Sequence, residues 1–415
     1  MSYILIQNGT LIDGNGGAPI KNGAVLVKEN RIYAVGHKND IKLPDAEMTQ
    51  IDAQGGSILP GMIDTHVHVM FEEVDFMRMM ATPFSLNFYT TIDRLKRTLD
   101  AGITSVRDAG GADLGVKTAV EQGVIEGPRM QISITVLSTT GGHGDGWLPS
   151  GSKMNIFSSY PGSPDGICDG VEDVRKKVRE VLRAGADVIK VCSTGGVLSP
   201  TDHPEFTQFS PEELAVMVQE GEFRRGIKVM AHAQGAEGIK NAVRAGIHSI
   251  EHGIYLDDEA IELMLEKGTF LVPTLLAPIA VLEIAEATGT MPEWGVKKAR
   301  EAMEAHSESI GKAYEAGVKI AMGTDAGVMK HGTNLRELGL MCGVGMSAME
   351  SIVATTKTAA ECLGWQDKVG TLNAGKLADV IISKVDPLQD VRVLEDVDNI
   401  GLVMKDGRIV KDIMN

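Results

Sequence analysis

Between residues 61 and 370, two hydrophobic periods alternate along the chain. Short β-prone apolar runs give way to longer stretches whose apolar positions recur at helical spacing, and then to the next run. Eight runs read as strands: 63–69, 104–108, 131–136, 187–191, 228–233, 249–252, 270–273 and 319–324. Helical stretches separate most of them, among them 90–101, 171–184, 211–225, 236–245, 258–267 and 297–316. Several end in Ala-Gly or Lys-Gly, as a helix closing on a left-handed glycine does. Alternating strands and helices predict parallel βα units. Eight such strands in a stretch of this length fit a distorted (β/α)8 TIM barrel over 61–370. A doubly wound sheet is the second choice, because no Gly-x-Gly-x-x-Gly follows the first strand.

The ends of the chain follow another pattern. Residues 1–60 read as short strands separated by Asn8-Gly9, Asn15-Gly16-Gly17 and Asn22-Gly23 turns. Residues 371–415 look alike, with strands at 378–382 and 400–404 and a hairpin turn at Lys405-Asp406-Gly407-Arg408. The two ends are expected to pair into one small β-sandwich domain.

Composition changes little in this picture. The 415 residues are 43% apolar and 23% charged, normal for a globular protein. No uncharged apolar run is long enough for a membrane span. The N-terminus lacks the basic and apolar regions of a signal peptide, so a cytoplasmic location is expected. A net charge of −16 argues against a nucleic-acid partner. Cys168, Cys192, Cys342 and Cys362 are scattered and suggest neither disulfides nor a thiolate metal site.

The candidate chemistry begins at Asp64-Thr65-His66-Val67-His68. Residues two apart on a strand share a face, so His66 and His68 project together. With 10 histidines in the chain, roughly 0.2 such pairs arise by chance, so the pair alone is weak. The remaining strands strengthen it. Lys190 lies near the end of the fourth, His232 ends the fifth, His252 the sixth and Asp325 the eighth. Functional residues of a barrel sit at these C-terminal ends. Singly, each has an ordinary reading, such as a core histidine, a paired lysine or a capping aspartate. Jointly they describe a metal site.

This constellation resembles the amidohydrolase superfamily over nearly the whole chain. The matching stretches are Pro60-Gly61-Met62-Ile63-Asp64-Thr65-His66-Val67-His68, Lys190, His232, Ser249-Ile250-Glu251-His252-Gly253, Gly323-Thr324-Asp325 and Gly375-Lys376-Leu377-Ala378-Asp379. The resemblance implies two divalent metal ions, zinc by default, and an N6-carboxylysine at Lys190 that bridges them. His66, His68 and Asp325 would hold one metal, and His232 and His252 the other. A hydroxide shared by the metals would be the nucleophile, with Asp325 moving its proton to the leaving amine.

Mononuclear deaminases of the superfamily carry His-x-x-Glu on strand five, whereas here the string is His232-Ala233-Gln234-Gly235. That favours a binuclear amide hydrolase over a deaminase. Residues 104–111, 140–145, 193–199 and 325–327 look like Xaa-Pro dipeptidases and N-acyl-amino-acid hydrolases, in the group related to imidazolonepropionase. Amidases and carbamate or urea hydrolases share these motifs. Some relatives carry a tyrosine where Gln234 stands. A non-catalytic scaffold of the same fold would lack ligands, and none is missing here. The resemblance also implies a small-molecule or dipeptide substrate and a homo-oligomer.

Beyond the metals, His143 sits in a glycine-rich loop after the third strand, a place from which it could stabilise an oxyanion or hold a substrate carbonyl. Gln234, Tyr255 and Arg107 are further candidates for substrate contact, Arg107 through a bidentate grip on a carboxylate. For Arg107 an internal ion pair is the competing reading. His331 reads as a surface loop residue, and His37, His203, His248 and His306 as structural or exposed. The Met-rich stretch 70–80 reads as packing or a subunit interface rather than a substrate wall.

Overall fold

The computed structural model describes residues 2–154 and 157–414. The N-terminal region supplies β1 (Tyr3–Leu11), β2 (Ile20–Lys28), β3 (Arg31–His37), β4 (Met48–Asp52) and β5 (Ser57–Pro60). Two parallel sheets follow. One holds β6 (Met62–Val67), β7 (Ile103–Asp108) and β8 (Arg129–Ile132). The other holds β9 (Val136–Leu137), β10 (Val188–Cys192), β11 (Lys228–Ala233), β12 (Ser249–His252) and β13 (Phe270–Val272). The C-terminal region adds β14 (Val380–Ser383), β15 (Ile400–Lys405) and β16 (Arg408–Asp412). These join the first five strands in one eight-stranded sheet, in the order β16-β15-β14-β5-β1-β2-β3 with β4 also against β1. The two ends of the chain therefore share one sheet, through antiparallel pairing of β5 with β14.

Local sequence explains most of the elements. The parallel strands are buried along nearly their whole length, which is why they read as continuous apolar runs. The helix Val171–Arg183 buries Val174, Val178, Val181 and Leu182, one face at helical spacing, and carries Glu172 and Asp173 in its first turn. The helix Pro211–Glu222 opens with a capping box between Ser210 and Glu213. The helix Asp258–Lys267 starts on Asp257 and stops on left-handed Gly268. At the β15–β16 hairpin, Asp406 and Gly407 both have positive φ, 51° and 73°, as a two-residue primed turn needs.

Two expected strands depart from regularity. The run at 131–136 is split between β8 and β9, because Ile134 turns left-handed at φ 69°. The run at 319–324 touches β13 by an isolated bridge at Ile320, and Ala326 just beyond it bridges to β6 at Val67. Its backbone still bonds both neighbours. Leu271 N donates to Lys319 O and Ala321 N to Leu271 O, while Thr65 N donates to Met322 O and Asp325 N to His66 O. Gly323 makes the close approach possible, since a β-carbon there would lie 2.4 Å from Val272 and 3.0 Å from His66.

One side chain ties the eight-stranded sheet to the parallel strands. Arg129, opening β8, places Nη1 2.6 Å from Asp379 and Nη2 2.7 Å from Asp406. Burial works against its charge, but Asp379 and Asp406 outweigh it and raise the guanidinium's pKa. Asp379 is itself buried and also accepts from Asp406 N. Removing one partner of such a pair strands the other. Arg129→Ala is expected to lower unfolding stability by roughly 3 kcal/mol, read as a shift in the urea midpoint. Arg129→Lys should recover only part of the loss, because a lysine cannot reach two carboxylates with a fixed fork.

Candidate metal centre

His66, His68, Lys190, His232, His252 and Asp325 all line one cavity at the C-terminal ends of the parallel strands. Strand register aligns them: Cys192 pairs with His232, Ala233 with His252, and Val67 with Ala326. One residue of each pair, or its chain neighbour, is thus a metal candidate.

His66, His68 and Asp325 offer three ligand atoms within 4.8 Å of one another, a group able to hold a metal ion. His66 Nε2 and His68 Nε2 lie 3.5 and 3.3 Å from the same oxygen, Asp325 Oδ1. The second set is tight as well. The rings of His232 and His252 are 4.6 Å apart, and His252 is 5.1 Å from His66. Lys190 stands on the same wall, but an amine is not an anionic ligand.

Each histidine is oriented by its other ring nitrogen. His66 Nδ1 meets Glu251 Oε2 at 2.8 Å, and His68 Nδ1 meets Gly110 O at 2.9 Å. His252 Nδ1 meets Thr274 Oγ1 at 2.7 Å. His232 instead uses Nε2, 3.0 Å from Gly195 O, which leaves Nδ1 free to coordinate. These outer contacts fix tautomer and ring plane, as metal-binding histidines require.

Backbone geometry contributes too. Consecutive strand residues point to opposite faces, yet Glu251 and His252 both turn toward His66. Left-handed φ at His252, 76°, breaks the alternation, and Asp325 has φ 64°. Such conformations cost about 1–2 kcal/mol each in non-glycine residues, so their presence at two proposed ligands fits a functional site.

Electrostatics sort the ligands. Burial holds His66, His232 and His252 well below the usual histidine pKa, and neighbouring Lys190 and histidines push in the same direction. They stand as neutral imidazoles, the form that binds metal. For His68 burial also opposes charge, but the Asp325 carboxylate wins and its pKa rises. Asp325 is the converse case: burial would raise it, and His68 and His66 bring it below the usual range. Burial lowers the Lys190 pKa although Glu251 and Asp325 oppose this. Beneath the site, Asp64 accepts from Thr324 Oγ1 at 2.6 Å and Asn334 Nδ2 at 2.8 Å, fastening β6 to the segment that carries Asp325. Burial raises the Asp64 carboxyl to about 6.

His143 lines the cavity, its ring stacked on His232 at 4.2 Å and 16°. A β-carbon on Gly196 would lie 2.3 Å from His143 Cε1, so the ring also rests against that glycine. Its Nδ1 meets Ser199 Oγ at 2.8 Å, and Ser199 hydrogen-bonds Asp202. Lys298, buried on the helix Glu293–Ala316, donates to the carbonyls of Gly196, Ser199 and Asp202 at 2.7–2.9 Å. The loop that holds His143 is thereby pinned, and Nε2 is the nitrogen left for the cavity.

The other candidates divide. Gln234 is on the cavity wall and buried, and its Oε1 has no hydrogen-bond partner among the described residues. Tyr255 is half-buried and packs on the main core, away from the cavity lining. Arg107 cannot grip a substrate carboxylate. It is 1% exposed, with Nη2 2.9 Å from Glu251 Oε1 and Nε donating to Thr65 O at 2.6 Å. Its fork is used up below the site. His331 is buried rather than on the surface, its Nε2 3.0 Å from Phe71 O and 3.2 Å from His68 O. His306 is buried, lines the cavity, and meets His252 O at 2.8 Å. In the Met-rich stretch, Phe71, Phe76 and Met79 line the cavity while Met77 and Met80 face solvent.

Several supporting residues escape sequence reading. Glu251 had a signal, being a carboxylate inside a buried apolar strand two residues from Ser249. Ser199 lies in the matching stretch 193–199, whereas Thr274, Asp202 and Lys298 had no signal, since their roles depend on contacts with distant parts of the chain.

The model of the amidohydrolase family matches residues 57–410. The chain belongs to that family. This amidohydrolase is 37% identical over 425 residues to the ochratoxinase of Aspergillus niger, covering 98% of this chain and 86% of the relative. Among solved structures, it superposes on a Xaa-Pro dipeptidase with bound methionine in the active site at a TM-score of 0.87, with 35% identity over 98% of this chain and 99% of the other. A prolidase complexed with N-methylphosphonate-L-proline gives 0.90, with 34% identity over 99% and 100%. The amidohydrolase is accordingly a hydrolase acting on C–N bonds.

Glu251 touches both His66 and Arg107, so its loss should register twice. Glu251→Gln is expected to weaken metal retention roughly 10- to 100-fold, measured by elemental analysis after graded chelator dialysis. It should also lower stability by about 3–5 kcal/mol, because Arg107 is left buried with no opposing charge.

Proposed function

We propose that this amidohydrolase is a binuclear metal-dependent hydrolase that cleaves dipeptides of Xaa-Pro type or N-acyl amino acids. The reading includes a distorted eight-stranded barrel whose arcs are the two parallel sheets. It is supported by the backbone bonds that run from 319–326 to both β13 and β6, and by Asp187 N donating to Ile132 O across the other gap. It also includes a small domain built from residues 1–60 and 371–415.

The observation that carries the proposal is the convergence of His66, His68 and Asp325 with His232, His252 and Lys190 on one cavity. The donor set fits two zinc-like ions if Lys190 is carboxylated. A buried amine shifted toward neutrality is the form that attacks CO2, losing a proton as the carbamate forms. The carbamate then supplies the anionic oxygens that the amine lacks. The metals, when bound, would activate water and polarise the scissile carbonyl. Asp325 accepts the proton of the attacking water and returns it to the leaving amine nitrogen. His143 Nε2 is the donor for the developing oxyanion, held by Ser199, Gly196 and the His232 ring. Gln234 meets a substrate polar group on the same wall. The apolar lining, including Val197, Leu198, Ile254 and Val281, excludes water and receives an apolar side chain. The similarity to a Xaa-Pro dipeptidase and to a prolidase supports the substrate class.

The test is a panel of Xaa-Pro dipeptides, N-acyl-prolines and other N-acyl amino acids with the zinc-loaded protein. Turnover of at least one class is expected, and none across the panel would reject the reading. Lys190→Ala should lose both metal and activity, by elemental analysis and initial rates; retention of both would reject the carbamate bridge. Asp325→Asn should fold normally and lose roughly 100- to 10,000-fold in kcat.

A second prediction concerns His143. Gly196→Ala pushes a methyl group into its ring and should lower kcat by about 100-fold, close to the effect of His143→Ala. The double variant should then be little worse than either single one, since both remove the same donor. Additive losses would instead place Gly196 and His143 in separate roles.

A further inference from the structure

A groove of ≈570 Å³ is lined by the helix Val171–Arg183 and by Arg224, just past the helix Pro211–Glu222. It shares no lining residue with the cavity of the metal candidates. Five cationic side chains face it, Arg175, Lys176, Arg179, Arg183 and Arg224, against two carboxylates, Glu172 and Glu180. The chain has 40 basic and 56 acidic residues, so a local excess of cations does not follow from composition.

Helical spacing and one buried acid build the groove. Arg175, Arg179 and Arg183 recur at every fourth position, so they form a row along one side of their helix. Glu220 is only 3% exposed and holds two of them. Arg175 Nη1 donates to its Oε1 at 2.7 Å, while Arg179 donates from Nε to Oε2 and from Nη2 to Oε1, both at 2.9 Å. One carboxylate thus fixes two guanidiniums and neutralises one charge. Glu180 is answered by Lys177, whose Nζ lies 3.6 Å away. Lys176, Arg183 and Arg224 are exposed and form no ion pair among the described residues. A cation in the last turn offsets a helix's C-terminal dipole. That accounts for Arg183 and Arg224 at most, and not for the row that leads to them.

We propose that this groove binds a small oligophosphate anion, free or carried on a nucleotide. Guanidinium forks match phosphate oxygens in geometry as well as charge. From Arg175 to Arg183 the helix rises about 12 Å, too far for one phosphate to bridge, so a chain of several phosphates answers the row. The net charge of −16 repels large polyanions such as nucleic acid or an anionic membrane, which meet the whole surface. A small anion meets the local field, because charges more than about 8–10 Å away are screened at ordinary salt. The volume of the groove lies within the range of about 300–1,000 Å³ typical of small-ligand sites. The proposal is independent of the amide-hydrolase reading, since the groove and the metal candidates have no residue in common.

The experiment is isothermal titration of the zinc-loaded protein with inorganic tripolyphosphate, ATP and orthophosphate. Tripolyphosphate is expected to bind roughly tenfold or more tightly than orthophosphate, because it meets more than one guanidinium. The double variant Arg183→Ala/Arg224→Ala should weaken tripolyphosphate binding roughly tenfold or more. Its urea midpoint should stay unchanged, since both side chains are exposed and unpaired. ATP binding as tightly as tripolyphosphate, or more tightly, makes a nucleotide the carrier; much weaker ATP binding leaves the free oligophosphate. Hydrogen exchange should slow over residues 171–183 and 219–226 when tripolyphosphate is bound. Binding that survives the double variant, or protection confined to the strand ends that carry the metal candidates, places the anion at the metal centre and overturns the groove. Absence of binding overturns it too. So does self-association of the wild-type protein at low salt that the double variant abolishes, which would make a second copy of the chain the occupant.

Discussion

A buried carboxylate, Glu251, stands between the candidate ligand His66 and a guanidinium, and much of the site depends on that contact. One oxygen orients His66, and the other neutralises Arg107. Arg107 in turn donates to Thr65 O, so β6, β7 and β12 are held in register at the level of the metal candidates. In so dry a place either charge alone, carboxylate or guanidinium, would be costly. Paired, they set the His66 ring plane without help from solvent. Asp64 has the same function one layer away, joining β6 to the residues before Asp325.

Around this rigid base the metal candidates stand at strand ends, whereas the groups proposed to meet substrate stand on loops. The division matters for chemistry. Metal ligands need fixed positions within fractions of an ångström, which parallel strands supply. His143 comes from a loop and has to be immobilised by other means. Gly196 and His232 pack against its ring, Ser199 meets its Nδ1, and Lys298 holds the loop below. Left-handed turns at His252 and Asp325 aim side chains that a regular strand would direct elsewhere.

The apolar surroundings serve both ends. They shift His66, His232 and His252 toward the neutral form and lower the pKa of Lys190. They also shape the space above the ligands through Phe71, Phe76, Met79 and Phe157. The same exclusion of water that favours the neutral side chains therefore limits which molecules can approach them.

Periodicity alone carried the alternation of strands and helices, because burial on both faces of a parallel strand writes an apolar run into the chain. The positions of His66, His68, Lys190, His232, His252 and Asp325 at run ends were legible for the same reason: a polar residue closing an apolar run has few places to go. What required tertiary structure was everything decided by contact across the fold. Arg107 has the side chain of a carboxylate binder, and only its 2.9 Å contact with Glu251 makes it structural. His331 follows Asp325 in a polar loop, and only the carbonyls of His68 and Phe71 draw it inside. The Met-rich stretch resembled plain packing until folding set Met79 against the cavity. The chain by itself determined which chemistry is possible, since that depends on residue type and strand position. The tertiary structure decided which side chains remain free to perform it, because hydrogen-bond partners and burial are set by residues far apart in sequence.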